Sequence, residues 1–344
     1  MNIVNTEGNL MSLNEQVKNS LSKIKQVKGV ENAVLTQRDG NPIQSAGVWL
    51  SKEEVFNLSS ATSAIYNLGL HLHSTKLKYI LIEGKSAKIL LAPLKNSMDD
   101  PIDRIMIKQG IKNKNEEFFI AITTFPNVNL GGIFLQTRES LRDIKRSLVL
   151  SGESFKPPLR KYNNEQLSEL LESFSVKEET KDNNYLKLNS FSFSNDTVQK
   201  LENILRKLSL NIIDLTRTSV TTSGGFIVAS YSKGSDYSEL EFERESAVTY
   251  SLFSTANRCA WLLKKMNINS ILLECESYFQ FISELGDGIF SLSVNKGKQK
   301  LGLLRLLLPR YLKLLKKVIE NAKSLENPVK TFNLSQMIGE LCLK

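Results

Sequence analysis

Val27-Lys28-Gly29-Val30-Glu31-Asn32-Ala33-Val34-Leu35-Thr36-Gln37-Arg38-Asp39-Gly40-Asn41-Pro42 is the stretch that decides the fold. Gly29 closes whatever precedes it. Asn32–Thr36 then reads as a short strand. Arg38-Asp39-Gly40-Asn41 is a turn, because Asp-Gly tolerates the positive φ of tight hairpins. Pro42 to Val48 is the return strand. Upstream, Val17, Leu21 and Ile24 recur at spacings of three and four, which predicts a helix from about Ser12 to Gln26. Ser12 followed by Glu15 is a capping box at its start. The order therefore begins helix, strand, strand.

Downstream, Ser51-Lys52-Glu53-Glu54 opens a second capped helix to about Leu70. Leu58, Ala61, Ile65, Leu68 and Leu72 form its apolar stripe. Ser59, Ser60 and Ser63 make another side of small groups, which either meets a partner helix or faces solvent. Tyr79–Glu83 and Lys88–Ala92 are strands around Gly84-Lys85-Ser86-Ala87. This is no phosphate loop: the position that loop reserves for its first glycine holds Tyr79, and a strand follows where a helix is required. Residues 96–115 are polar and irregular, a long loop that is either a contact element or disordered. Phe118–Thr124 is a fifth strand. Asn129 caps a helix reaching about Leu150.

The second half repeats this order about 180 residues later. Between the halves, residues 151–185 carry Pro157-Pro158 and a mixed-charge polar run, the composition of a linker. Helix is predicted at Asn195–Leu208, strand at Ile212–Thr218 and Phe226–Tyr231, and a long helix at Glu243–Met266. Strands follow at Ser270–Cys275, Gln280–Leu285 and Gly288–Val294, then a helix at Leu301–Asn321. Pro309 is expected to kink or split that last helix. The second long helix again has a small-residue side, so Ser59, Ser60, Ser63, Ser251 and Ser254 are the candidates for pairing between domains. The domains are placed at 12–150 and 186–323. The tail, 324–344, ends in a possible short helix around Leu334 to Leu341.

Composition excludes much. The chain is 344 residues, 41% hydrophobic and 24% charged, which suits globular domains and not wholesale disorder. No apolar run reaches the roughly 18–20 residues that span a bilayer. The polar start, Met1–Leu10, does not resemble a signal peptide. Cys259, Cys275 and Cys342 show no paired spacing, so neither a disulfide framework nor a zinc site is expected. His71 and His73 point to different sides of a helix and make poor joint ligands. No catalytic or metal motif emerges, and no cofactor is implied. The net charge of +9 is concentrated: residues 296–323 hold nine basic side chains against the single acid Glu320. Lys313, Lys316 and Lys317 are the candidate basic partner surface. Solvated edge charges, an acidic protein or an anionic membrane all fit such a surface, while the crowding of leucines on the same helix disfavours nucleic acid. That crowding also predicts a largely buried helix with its lysines along one narrow edge.

The first half resembles the roadblock / dynein light chain family. The resemblance rests on residues 27–40, on Ile80-Leu81-Ile82-Glu83-Gly84-Lys85 through Leu91-Ala92-Pro93-Leu94, and on Asn129-Leu130-Gly131-Gly132-Ile133-Phe134. The second half looks like a diverged copy, best matched at Ile271-Leu272-Leu273-Glu274 and Leu301-Gly302-Leu303-Leu304-Arg305-Leu306. It lacks an Asp-Gly turn and has Lys300 where the first half has Asn129. The resemblance implies an α+β fold of two modules, each a five-stranded antiparallel sheet with two helices on one face and one on the other. It also implies pairing into a continuous sheet, either within one chain or in a homodimer. It further implies a non-catalytic cytoplasmic platform, bacterial or archaeal, that binds and regulates a small Ras-like GTPase. The alternative is an adaptor or scaffold subunit, with other roadblock or longin-type proteins as partners.

Overall fold

The computed structural model describes residues 12–47, 51–73, 77–94, 118–151, 193–222, 225–233, 239–263, 268–286, 288–297 and 301–325. The first module runs α1 (Leu13–Lys25), β1 (Val30–Gln37), β2 (Pro42–Gly47), α2 (Lys52–His73), β3 (Leu77–Gly84), β4 (Lys88–Pro93), β5 (Phe118–Thr124) and α3 (Leu130–Ser151). The second runs α4 (Asn195–Asn211), β6 (Leu215–Thr222), β7 (Ile227–Ser232), α5 (Glu239–Leu262), β8 (Ile268–Cys275), β9 (Tyr278–Glu284), β10 (Gly288–Asn295) and α6 (Leu301–Leu325). All ten strands form one antiparallel sheet in the order β2-β1-β5-β4-β3-β8-β9-β10-β6-β7. Each module contributes five consecutive strands, as the family resemblance implies, and β3 pairs with β8 at the middle.

Local chemistry explains the elements. Both capping boxes form: the Ser12 backbone donates to Glu15 at 3.1 Å and the Ser51 backbone to Glu54 at 2.8 Å. Such caps each stabilise a helix start by about 1 kcal/mol. Asn129 accepts from the Gly132 amide at 3.2 Å, opening α3. Strands such as β4 and β5 are buried on both faces, and their alternate side chains, with the stripes along the helices, fall into two apolar layers. One joins α1 and α3 (Val17, Leu21, Ile24, Ile133, Ile144) to α4 and α6 (Leu201, Leu205, Leu304, Leu315) across the sheet. The other joins α2 (Leu58, Ile65, Tyr66) to α5 (Leu252, Phe253, Ala256) on the opposite face.

The duplication is visible in irregularities as well as in order. The β1–β2 ladder slips between Leu35 and Thr36, and the β6–β7 ladder slips between Val220 and Thr221. The β1–β5 slip near Val30 matches the β10–β6 slip near Val294. Bulges are specific backbone features, so repeated bulges at equivalent places mark equivalent residues. Both hairpin turns also end in a positive-φ glycine, Gly40 at 97° and Gly225 at 82°. A Cβ on Gly40 would meet the Ser60 backbone at 3.3 Å, and one on Gly225 the Ala247 backbone at 3.1 Å. Each middle helix therefore presses on its own hairpin through a small residue.

Several expectations shift. The strand expected at Ile212–Thr218 begins at Leu215, because α4 runs on and the Ile212 amide still bonds the Leu208 carbonyl. Helix α2 continues past Leu70 to His73. Pro309 does not split α6, which runs unbroken through it. Pro309 sits on the exposed side, where water can take the place of the lost bond. The linker 152–185, the loop 96–115 and the tail from 326 lie outside the described residues.

Gly40→Ala and Gly225→Ala are each expected to lower stability by about 1–3 kcal/mol, since both combine a left-handed backbone with helix backbone beneath. Urea unfolding of the two variants checks this, with similar losses expected from both copies.

Candidate functional site

The candidate site is the seam where β3 meets β8, together with the helices above and below it. The register is symmetric: Leu81 pairs with Leu272, Tyr79 with Glu274 and Glu83 with Ser270. Ile80 and Ile82 of β3, with Ile271 and Leu273 of β8, point toward α2 and α5. Tyr79 and Leu81, with Leu272, point to the other face.

On the α2–α5 face the two middle helices touch. The Cys259 thiol on α5 donates to the Ala61 carbonyl on α2 at 3.1 Å. Burial pushes that thiol's pKa up to about 12, so it stays protonated and unreactive. The small-residue candidates fall differently. Ser59 bonds Thr36 of β1 at 3.1 Å, and the Ser63 hydroxyl donates to the Arg38 carbonyl. Ser60 lies against Gly40. All three thus serve contacts within the first module. Ser251 is exposed and donates to the Ala247 carbonyl at 2.9 Å, and Ser254 is half-buried. None of the bonds described for these five serines crosses between α2 and α5, whereas Ala61 and Cys259 do meet there.

The C-terminus of α2 carries a polar contact that sequence reasoning misses. His73 is buried at 4% exposure. Its Nε2 lies 2.6 Å from Gln280 Oε1, and its Nδ1 meets the Tyr278 hydroxyl, both on β9 of the other module. A neutral imidazole satisfies both partners, with Nε2 donating to the amide oxygen and Nδ1 accepting from the phenol. Gln280 then donates to Ser291 at 3.2 Å and to Thr249 at 3.4 Å. Beyond them, Arg217 and Glu245 form an ion pair, beside a small polar cavity lined by Ser219, Thr249 and Ser291. Burial lowers the His73 pKa to about 4; the Gln280 bond opposes this and the Arg217 charge adds to it. Burial raises the Glu245 pKa, against the pull of Arg217. Burial likewise raises the Tyr278 pKa.

On the opposite face, one ion pair spans the seam and two others flank it. Arg305 of α6 reaches Glu83 of β3 at 3.1 Å, and Lys88 of β4 holds the same carboxylate at 2.9 Å. Lys296 pairs with Glu274 at 2.7 Å and lies over the Phe279 ring at 4.7 Å. Tyr79 packs edge-on against Phe134 of α3, with ring centroids 5.1 Å apart. Farther out, α6 departs from the expected largely buried helix with one narrow lysine edge. Its outer side carries Leu303 (47% exposed), Leu306 (78%) and Leu314 (43%) interleaved with exposed Arg310, Lys313 and Lys317; Lys316 is also exposed. Inward, Leu304, Leu308, Tyr311 and Leu315 are buried against the sheet with Leu301, Leu307 and Leu312 packed beside them, which leaves Leu303, Leu306 and Leu314 facing outward.

Among the described residues no group of three metal-ligating side chains converges, and no helix is long and apolar enough to cross a membrane. Gly84-Lys85-Ser86 lies in the turn between β3 and β4. His71 is exposed and His73 enclosed, so the two do not meet. The arrangement can join surfaces and hold charge.

Residues 16–98 match the model of the Roadblock/LC7 domain. Similar solved structures include gliding protein MglB from Thermus thermophilus, at 15% identity over 39% of this chain and 98% of that one, TM-score 0.35. MglB from Myxococcus xanthus is 13% identical over 41% and 98%, TM-score 0.35. A Roadblock/LC7 domain from Streptomyces avermitilis is 12% identical over 38% and 97%, TM-score 0.30. A comparison with curated proteins finds no match.

Acid is expected to weaken the fold through His73. Its folded pKa of about 4 lies below the unfolded value of about 6.5, so only the unfolded chain binds the proton between them. The stabilisation is whole above pH 6.5 and is lost as pH falls toward 4, by roughly 2–3 kcal/mol. Unfolding free energies from pH 7 to 4.5, compared with His73→Gln, measure this; the variant should show the smaller slope.

Proposed function

With a Roadblock/LC7 domain as its first module and a diverged copy of that module as its second, we propose that this chain is a non-catalytic platform that binds a small Ras-like GTPase and modulates its nucleotide cycle. The observation that supports it most is the open side of α6. Three exposed leucines among Arg310, Lys313 and Lys317 make a surface suited to an apolar patch with an acidic rim. The joined sheet gives that surface a rigid base, since α6 packs on the sheet and on α4. The Asn211 amide bonds Tyr311 at 2.5 Å there. Long-range attraction from the lysines would speed encounter, while the leucines would slow release. The same surface also supports a coarser reading, an adaptor that docks a protein without altering nucleotide turnover.

The test is titration of the purified chain with small Ras-like GTPases from its source organism, each loaded with GDP or a GTP analogue. A complex at tens of micromolar or tighter, with altered exchange or hydrolysis, is expected. A complex with unchanged turnover favours the adaptor, and no complex at about 100 µM with any of them ends the GTPase reading. Reversal of charge at Lys313, Lys316 and Lys317 together should weaken binding about ten-fold or more, and most at low salt. All three are exposed, so the unfolding midpoint should stay nearly constant.

A further inference from the structure

The duplication supplies an internal control for the seam. Matched bulges and matched ladder partners equate Val34 with Ser219, Ala121 with Ser291 and Ile89 with Gln280. The paired glycine contacts equate Ser60 with Ala247, hence Leu58 with Glu245 and His73 with Ala260. The hairpins equate Ala87 with Tyr278. Matched burial equates Ile133, Thr137, Ser140 and Ile144 of α3 with Leu304, Leu308, Tyr311 and Leu315 of α6, hence Phe134 with Arg305. At one place in the fold, five apolar residues of the first module have become polar residues of the second. Two of them, Tyr278 and Gln280, hold His73, which belongs to the other module.

We infer that these differences form a pairing code: the first module's seam accepts the second module and rejects another copy of the first. The β3–β8 register is symmetric about Leu81 and Leu272, so two first modules would meet in the same register. His73 would then face Ala87 and Ile89, which offer no side-chain hydrogen bond. Glu83 would face Phe134 where it now meets Arg305. The buried imidazole would lose both partners, and on the opposite face of the sheet the half-buried Glu83 carboxylate would lose Arg305 and keep only Lys88. In the observed pairing His73 has Tyr278 and Gln280, and Glu83 has Arg305. Specificity of this kind works by penalising the wrong partner more than by strengthening the right one. The leucines and isoleucines at the centre of the seam are common to both modules and cannot discriminate. The polar groups at its ends can.

The consequence is a platform with two unlike halves. The pseudo-twofold relates the backbones but not the surfaces that a partner meets.

The experiment places a specific protease site between residues 152 and 192 of the full chain and cleaves after folding. Native mass spectrometry should show the two fragments held one to one, with no dimer of the first fragment after prolonged incubation. Separate fragments, or first-fragment dimers from the otherwise unaltered protein, would overturn the inference. In the cleaved protein, His73→Leu should weaken fragment association about 30-fold, and Tyr278→Ala with Gln280→Ile by a similar factor. All three changes together should cost no more than about three-fold beyond either alone, because they remove one shared interaction. That combined variant places first-module residues or an apolar side chain at every position, so it remains folded if the single changes do not. It should also begin to form first-fragment dimers. Losses that multiply to about 1,000-fold, or a combined variant as selective as the parent, would show that the three residues do not act as a code.

Discussion

Everything in this molecule depends on β3 finding β8. Each module alone would leave that strand as an edge, with a row of backbone donors and acceptors and the apolar side chains Ile80, Ile82, Ile271 and Leu273 half-covered. Open edges of this kind invite pairing with any extended chain. Joining them makes ten strands continuous, draws α2 against α5 and lets both apolar layers run through the seam. A tether between the halves keeps the two edges at an effective concentration of about the millimolar range. Pairing is therefore the favoured fate of each edge.

Given that join, the two faces of the sheet differ in character. The face under α2 and α5 is closed and carries its polar groups inside, around His73 and Gln280. The face under α3 and α6 keeps its polar groups near solvent, as ion pairs at Glu83 and Glu274. Partly exposed pairs of that kind contribute little to stability. The Arg305–Glu83 pair ties α6 to the seam and leaves its outer leucines and lysines exposed. Enclosed pairs hold the halves together, and exposed charge is left for recognition.

Much of the fold is legible in the sequence because it is written in local signals. Capping boxes at Ser12 and Ser51, the Asp-Gly turn, and short continuous apolar runs such as Phe118–Thr124 carry the element order and most limits. The repeat is legible as order alone. Limits fail where tertiary contacts override propensity: α4 runs through Leu210 and Asn211 toward the segment that reads as strand, and α6 tolerates Pro309 on its solvent side. The seam's polar contact is illegible in either half by itself. His73 looks like a failed ligand, and Gln280 like an ordinary strand residue. The signal is present, though, in aligning the halves: Gln280, Ser291, Ser219 and Glu245 all stand where the first module is apolar. The serine side of α2 misleads because small residues allow close approach to any backbone. Here the approaching backbone is the module's own hairpin at Arg38 and Gly40. The openness of α6 is hidden for a similar reason, since leucine content signals burial only when something lies opposite.

Amide hydrogen exchange of the intact chain tests the central claim most directly. If β3–β8 pairing unites the molecule, the amides of residues 79–83 and 270–274 exchange in the slowest class, together with those of β5 and β10, through global unfolding. Exchange of those amides in a separate, faster step, with each module's own β4–β5 or β9–β10 ladder still protected, would show two independent domains merely lying side by side and would contradict the account.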